Sequence, residues 1–372
     1  MALFNDAKKL KVAQRARRGR YKARQWLVNN SSNKRVRGCG MTTVTGTYVT
    51  VNLGSCPTSG NAKASACNLI TCGSLWLCPT CSRKVASQRS SEIANAAEAW
   101  TSQNGKKIFA TFTLRHTANM SLEQVWNALS GAWRGFLSGK GWQSLKQEFN
   151  LAGWVRAVEV THGKNGWHVH AHTIFFLQPG CDIDLNAFGN NVFCRWESSV
   201  GLQGFTADRS AFDVRRTYSD SPLSRYLSEG SNKGVGYEIA NGAFKTSSTP
   251  FTILYRLVEN QQTQCACKGR RLPGARCDWC LWREWEFTAK GRRQMSWSVG
   301  MRTLINFQSV PQDTDDVSKN SIPVIAIGIG SWQWLVRSGC LTDFYDCLEE
   351  KGISVAIEYL HKRNLIFECL RQ

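Results

Sequence analysis

Twelve residues constrain this chain more than any others: Gly166-Trp167-His168-Val169-His170-Ala171-His172-Thr173-Ile174-Phe175-Phe176-Leu177. Histidines alternate with small or apolar residues, and an apolar run follows. Period-two alternation is a strand pattern, so His168, His170 and His172 share one face. Half of the chain's six histidines lie here. Each imidazole on a strand face needs a hydrogen-bond partner or a metal. The spacing predicts a metal site; a polar strand face is the plainer alternative.

At 372 residues the chain is long enough for two or three domains. No apolar run has the length of a membrane helix; residues 322–336 come nearest, and Gly328 and Gly330 break them. The charged N-terminus has no apolar signal core, so a cytoplasmic protein is expected. Lys and Arg exceed Asp and Glu by 47 − 27 = +20. That excess makes nucleic acid the first partner to consider and an anionic membrane the second. Fifteen cysteines, several in short-spaced pairs, point to zinc rather than disulfides.

Five regions follow from the chain order. Residues 1–38 hold twelve Lys or Arg against the single acid Asp6. They read as a flexible or partly helical basic arm, with Arg17, Arg18 and Arg20 on DNA phosphates; a solubilising tail is the alternative. Residues 39–100 carry six cysteines, ending in Cys72-Gly-Ser-Leu-Trp-Leu-Cys78-Pro-Thr-Cys81, then a helix over 82–100. Cys78 and Cys81 have the spacing of a zinc knuckle, Cys72 is near enough to join, and Cys39, Cys56 or Cys67 completes the set. Residues 101–260 alternate strands (108–114, 154–160 and the histidine stretch) with a helix over 122–149. Residues 261–306 hold Cys265-Ala-Cys267 and Cys277-Asp-Trp-Cys280, two tight pairs that predict a second zinc site. The loop between them, with Arg270 and Arg271, is basic and reads as a DNA contact. Trp279, Trp282 and Trp285 read as core rather than stacking platforms. Residues 307–372 begin as an acidic linker and continue as short strands and helices with no readable chemistry.

The β-α-β-β order with antiparallel neighbours predicts an α+β sheet with helices on one face. The turn at 161–166 folds Glu159 back onto the histidine strand. Two imidazoles and a carboxylate bind a divalent cation and leave positions open for a substrate oxygen. Nicking DNA also needs a nucleophile. Water gives hydrolysis; a tyrosine hydroxyl gives a phosphotyrosyl intermediate that conserves the bond for rejoining. Tyr226 lies on a short helix predicted after Ser221-Pro222, with Glu229 beside it and Lys233 placed to steady the phosphate.

Gly-Trp-His-x-His-x-His with Glu159, the Thr111-Phe-Thr-Leu114 strand, and Tyr226 with Lys233 resemble the three ordered motifs of HUH endonucleases, in particular the rolling-circle plasmid replication initiators (Rep proteins). Cys72-Gly-Ser-x-Trp-x-Cys78-Pro-x-Cys81, Thr249-Pro250-Phe251 and Lys290-Gly-Arg-Arg-Gln-Met-Ser-Trp-Ser-Val-Gly-Met-Arg302 extend the resemblance over roughly residues 39–302. It implies an HUH-type antiparallel sheet carrying helices, with zinc-binding modules on either side. Of the histidines it selects His170 and His172, ranks His168 below them, and makes Glu159 the acidic ligand. It also prefers Cys39 as the fourth ligand of the first zinc set. Relatives often place a second tyrosine where this chain has Gly230, so Tyr226 takes the nucleophile role by elimination, with Tyr218 and Tyr237 as rivals. Glu229 would activate water at the end of a round.

The resemblance implies origin-specific nicking and joining of one DNA strand, with Mn²⁺ or Mg²⁺ at the nicking centre and structural Zn²⁺ at one or two sites. Implied partners are plasmid origin DNA, single-stranded and duplex, with host helicase and polymerase, and no membrane. A transposase or phage initiator of the same superfamily would share the chemistry. A zinc-dependent repressor with a dead nuclease centre is the alternative from another class.

Overall fold

The computed structural model describes residues 2–55, 62–217, 247–267, 276–305 and 321–370. The chain opens with a long helix, α1 (Ala2–Asn30). Ala23, Trp26 and Leu27 recur at helical spacing and are buried in the main core. On another side Tyr21 and Val28 pack against a second core. The segment read as a flexible or partly helical basic arm is a helix, docked because its apolar stripe and its arginines both find partners. A short turn of helix, α2 (Lys34–Arg37), follows, with Asn33 as its cap.

Strands β1 (Tyr48–Ser55) and β2 (Ala62–Cys67) form a hairpin, and α3 (Pro79–Ser102) leaves the first cysteine cluster. Next come β3 (Lys107–Phe112), α4 (Leu122–Phe136) and α5 (Gly139–Glu148). The single helix expected over 122–149 is therefore two: Gly139 adopts φ +71° and reverses the path between them. A complete capping box of Ser121 and Gln124 starts α4. The long hairpin β4 (Leu151–Gly163) and β5 (Gly166–Leu177) leads to α6 (Leu185–Gly201) and β6 (Asp213–Arg216). Then follow β7 (Ser247–Ser248), α7 (Pro250–Glu259), α8 (Asp278–Thr288), β8 (Met295–Trp297) and α9 (Met301–Leu304). The chain closes with β9 (Ile322–Gly328), α10 (Ile329–Ser338), α11 (Leu341–Lys351), α12 (Ile353–His361) and β10 (Phe367–Cys369).

Two antiparallel sheets result. The larger runs β6-β3-β5-β4-β7, with β8 also on β4. One face, through Trp167, Val169, Ala171, Phe175 and Leu177 of β5, packs on α4, α6 and α8. On the other face Ile174 and Phe176 meet Ile93, Ala96 and Trp100 of α3, with Met301 and Ile305. Helices thus cover both faces, not one; among the described residues, those on the second face pack on Ile174 and Phe176, beyond the histidines.

The smaller sheet, β10-β9-β1-β2, unites residues 48–67 with the C-terminal segment. Val49, Val51, Ile325 and Ile327 bury against Trp332, Leu335, Phe344 and Leu348. The strands near the first cysteine cluster therefore belong to a core completed by residues some 270 positions away (Val51 pairs with Ile325).

Candidate metal centre and zinc sites

The β4–β5 turn sets the geometry of the centre. Gly163 pairs with Gly166 across a two-residue loop, which puts Glu159 directly opposite His170 and Ala157 opposite His172. Directly opposed residues share a face, so the carboxylate and the imidazoles converge. Gly166 adopts φ +82°, and a Cβ there would lie 2.9 Å from the Cα of Ala118, so only glycine fits.

His170 Nε2 lies 2.7 Å from Glu159 Oε2 and His172 Nε2 lies 3.4 Å from the same oxygen. The three ligand atoms gather within 4.8 Å of one another. On the adjoining strand Thr111 is the register partner of His172, and its Oγ1 lies 3.1 Å from His172 Nδ1. With Nδ1–H donated to Thr111, the Nε2 lone pair is left facing Glu159. This outer contact fixes a ligating imidazole's tautomer and orientation. Phe109 stacks on the His172 ring at 5.4 Å. Burial holds the His172 pKa below its ordinary value although the neighbouring Glu159 carboxylate raises it, so the ring is neutral and able to ligate near pH 7. Two imidazoles and a carboxylate suit a divalent cation.

His168 is directed elsewhere. Its Nδ1 lies 2.8 Å from His116 Nε2, and His116 Nδ1 lies 3.0 Å from the Asn165 carbonyl oxygen. Burial, then the neighbouring His170 and His116, push its pKa down to about 4. The metal-ligand geometry thus brings together Glu159, His170 and His172, and leaves His168 in a pair with a histidine from the β3–α4 loop. Thr111 was visible only as part of a motif, and nothing in the sequence marks His116.

Cys39, Cys72, Cys78 and Cys81 form a buried cluster. The Cys39–Cys81, Cys72–Cys81 and Cys39–Cys78 sulfur separations are 3.5, 3.6 and 3.7 Å. Four thiolates at about 2.3 Å from a tetrahedral zinc would stand about 3.8 Å apart, close to these values. Of the three rivals for the fourth position, Cys39 is the one brought in; Cys67 lies in β2 beside Asn52, and Cys56 lies outside the described residues. Arg24 of α1 fixes the Cys39 loop by donating to the carbonyl oxygens of Cys39 and Gly40. Cys78 stands at the N-cap of α3, and hydrogen bonds from Cys39 and Cys72 hold its pKa well down.

The second set, Cys265, Cys267, Cys277 and Cys280, is more open. Its sulfurs lie 3.1 to 3.9 Å apart. Burial opposes the Cys277 thiolate, yet backbone hydrogen bonds from Cys280, Ala266 and Cys267 bring its pKa down to about 6. Both sets have the donor number and spacing of a structural zinc site.

The second cysteine set is tied to the histidine strand. Glu284, on the helix that begins beside Cys277, accepts from Trp167 Nε1 at 2.6 Å, from the Leu122 backbone N–H at 3.0 Å and from Arg276. Trp285 stacks on Trp167 and Trp126. Trp282 and Trp285 are fully buried, and Trp279 packs edge-on against Trp26.

The remaining sequence candidates are placed as follows. Arg17 pairs with Glu349 and, at 2.8 Å, with Asp346; Arg18 pairs with Asp346. Arg20 is half-buried, and its charge acts on Tyr255. These arginines are engaged at least in part within the protein, with Arg17 only 13% exposed. Tyr226, Glu229 and Lys233, the rivals Tyr218 and Tyr237, and the loop residues Arg270 and Arg271 lie outside the described residues. No described helix is long and apolar enough to cross a membrane.

The Rep_1 replication-protein family model matches residues 66–181. The chain is 23% identical over 303 residues to "Protein rep" of Streptomyces lividans, covering 67% of this chain and 66% of that protein. It is 33% identical over 139 residues to a "Neomycin resistance protein" of Streptomyces cyanogenus, covering 31% and 32%. It is 29% identical over 106 residues to "Protein rep" of Lentilactobacillus hilgardii, covering 28% and 32%. The chain thus spans just under two-thirds of the first relative and about a third of the others. No solved structure matches. The stretch that matches the replication-protein model, residues 66–181, contains Glu159, His170 and His172, and the chain is similar to the Rep proteins of Streptomyces lividans and Lentilactobacillus hilgardii.

Proposed function

We propose that the chain initiates rolling-circle plasmid replication by nicking one strand of the origin and later rejoining it. The observation that carries this reading is the convergence of Glu159 Oε2 and the Nε2 atoms of His170 and His172 on one sheet face. Mn²⁺ or Mg²⁺ bound there would supply Lewis acidity at a phosphate oxygen of the strand. The protein's own part is to hold the His172 imidazole in the ligating tautomer through Thr111, and to present a carboxylate for charge balance.

Tyr226 is the nucleophile on this reading. Its hydroxyl oxygen bonds to phosphorus, the phosphorus–O3′ bond breaks, and the 3′ oxygen leaves with a proton as a free hydroxyl. The 5′ end stays on the tyrosine, and the 3′-hydroxyl serves a host polymerase behind a host helicase. Lys233 steadies the phosphate and Glu229 activates water in the terminating step. Of the eight tyrosines, the five described ones are engaged away from the centre. Tyr255 is buried in α7, Tyr21 and Tyr345 pack together, Tyr48 bonds Glu368, and Tyr359 donates to the Cys340 carbonyl. That leaves Tyr218, Tyr226 and Tyr237. Both cysteine sets would hold structural Zn²⁺, and the protein would act on single-stranded and duplex origin DNA in the cytoplasm.

The test incubates the full chain with origin single strand and Mn²⁺ or Mg²⁺, and looks for a covalent protein–DNA adduct on a denaturing gel. The adduct is expected with the wild type and absent from Tyr226→Phe and from His170→Ala/His172→Ala. An adduct that persists in Tyr226→Phe moves the nucleophile to Tyr218 or Tyr237. Origin binding with no adduct at all replaces the nickase reading with that of a repressor.

A further inference from the structure

On the face of the large sheet opposite the metal centre, α4, β4 and the segment after α8 enclose a cleft of about 340 Å³. Its walls include Trp126, Trp133, Arg134, Arg156, Arg292 and Arg293, and among the described residues no acidic side chain lines it. Arg156 lies three residues before Glu159 on the same strand, so alternation sends the two side chains to opposite faces. The cleft is therefore separate from the ligand set of Glu159, His170 and His172.

Two of the arginines are held in place. The Arg156 guanidinium lies 4.9 Å from the Trp133 ring centroid, and that of Arg292 lies 5.0 Å from Trp126. Arg292 is further fixed by donating to the Thr288 carbonyl oxygen and to Asn127 Oδ1. The buried Nε of Arg156 has no hydrogen-bond partner. Burial without a carboxylate lowers the Arg156 pKa to about 10, a cost that an anion would relieve. Arg134 and Arg293 stand exposed at the rim.

The aromatic faces decide between ligands. Trp126 stacks on Trp285 and carries Arg292, Trp133 stacks on Phe136 and carries Arg156, and both indoles are buried. No indole face is left for a base, so the cleft suits phosphates rather than a nucleoside. Four guanidiniums in an open cleft match several phosphates in a row better than one.

We infer that this cleft is a second DNA contact, binding backbone phosphates of a stretch that does not occupy the nicking centre. The inference rests on the reading of the chain as a DNA-acting initiator. It is sequence-independent, since only backbone is contacted.

The experiment uses the full chain and a fluorescein-labelled duplex of sequence unrelated to any origin, titrated over a range of salt concentrations. Arg134→Gln/Arg293→Gln, whose side chains are exposed, is compared with the wild type. The expected result is about tenfold weaker binding at low salt, and a slope of log K against log[salt] shallower by about 2, one for each phosphate no longer neutralised. Arg292→Lys, which keeps the charge but loses the planar fork, is expected to bind less tightly with little change in slope. Mn²⁺ binding and the thermal midpoint of the rim variant should match the wild type. Unchanged affinity and slope in the rim variant overturn the inference. So does displacement of the duplex by inorganic phosphate or pyrophosphate at concentrations too low for ionic screening, which would mark a small-anion site. If the wild type nicks origin DNA while the rim variant binds the duplex as the wild type does, the inference alone fails. If the wild type binds no DNA, the initiator reading fails with it.

Discussion

Replacing Thr111 by valine tests the metal centre without touching a ligand. The side chain keeps its shape and loses the oxygen that stands 3.1 Å from His172 Nδ1. In the wild type that contact holds the imidazole proton on Nδ1 and keeps the Nε2 lone pair for a metal. In Thr111→Val the ring can carry its proton on Nε2 and donate it to Glu159 Oε2, now 3.4 Å away, which removes the ligand lone pair. Removing such an outer hydrogen bond costs about 10- to 100-fold in metal affinity, or about 1.4 to 2.7 kcal/mol. The fold should change little, because β3 keeps its pairing with β5 and β6 and valine suits a strand. The assay is calorimetric titration of the full chain with Mn²⁺, alongside its thermal midpoint. Thr111→Ser should restore most of the affinity. Wild-type Mn²⁺ affinity in Thr111→Val would refute the orienting role and the tautomer assigned to His172.

Further outcomes follow from other contacts. Glu284→Ala strips acceptors from Trp167, the Leu122 N–H and Arg276. It should cost about 2–4 kcal/mol in urea denaturation; a loss within the noise would show that water replaces the carboxylate. Metal analysis should find two Zn²⁺ per chain, and a chelator with a colorimetric dye should draw zinc faster from the open set of Cys265, Cys267, Cys277 and Cys280 than from the buried set. A single phase, or one zinc, contradicts the two sites. Burial lowers the His162 pKa from its ordinary 6.5. Below that value the unfolded chain takes up a proton that the folded chain resists, so stability falls as pH drops through the window beneath 6.5. His162→Gln should flatten that part of a stability–pH curve, and a curve parallel to the wild type would count against it.

Much of the centre was already written along the chain. Period-two spacing put three histidines on one strand face, and the short turn before Gly166 brought Glu159 back beside them, since both are local consequences of strand geometry. Short-spaced cysteine pairs likewise announced two tetrahedral donor sets. The sequence could not separate His168 from its neighbours by spacing, because the answer depends on His116, contributed by a loop some fifty residues earlier, which takes up the His168 nitrogen. Nor could spacing choose Cys39 over Cys56 and Cys67: the choice depends on Arg24 of α1 holding the Cys39 loop against the cluster. The N-terminal arginines looked free because the acids that meet them, Asp346 and Glu349, lie more than 300 residues away. Residues 48–67 read only as part of the cysteine-rich stretch because the partner of their strands, β9, is equally remote. Local periodicity and turn length determine which side chains share a face. Which of them meet a metal ligand, an ion partner or another strand depends on contacts between distant segments, and only the tertiary structure decides those.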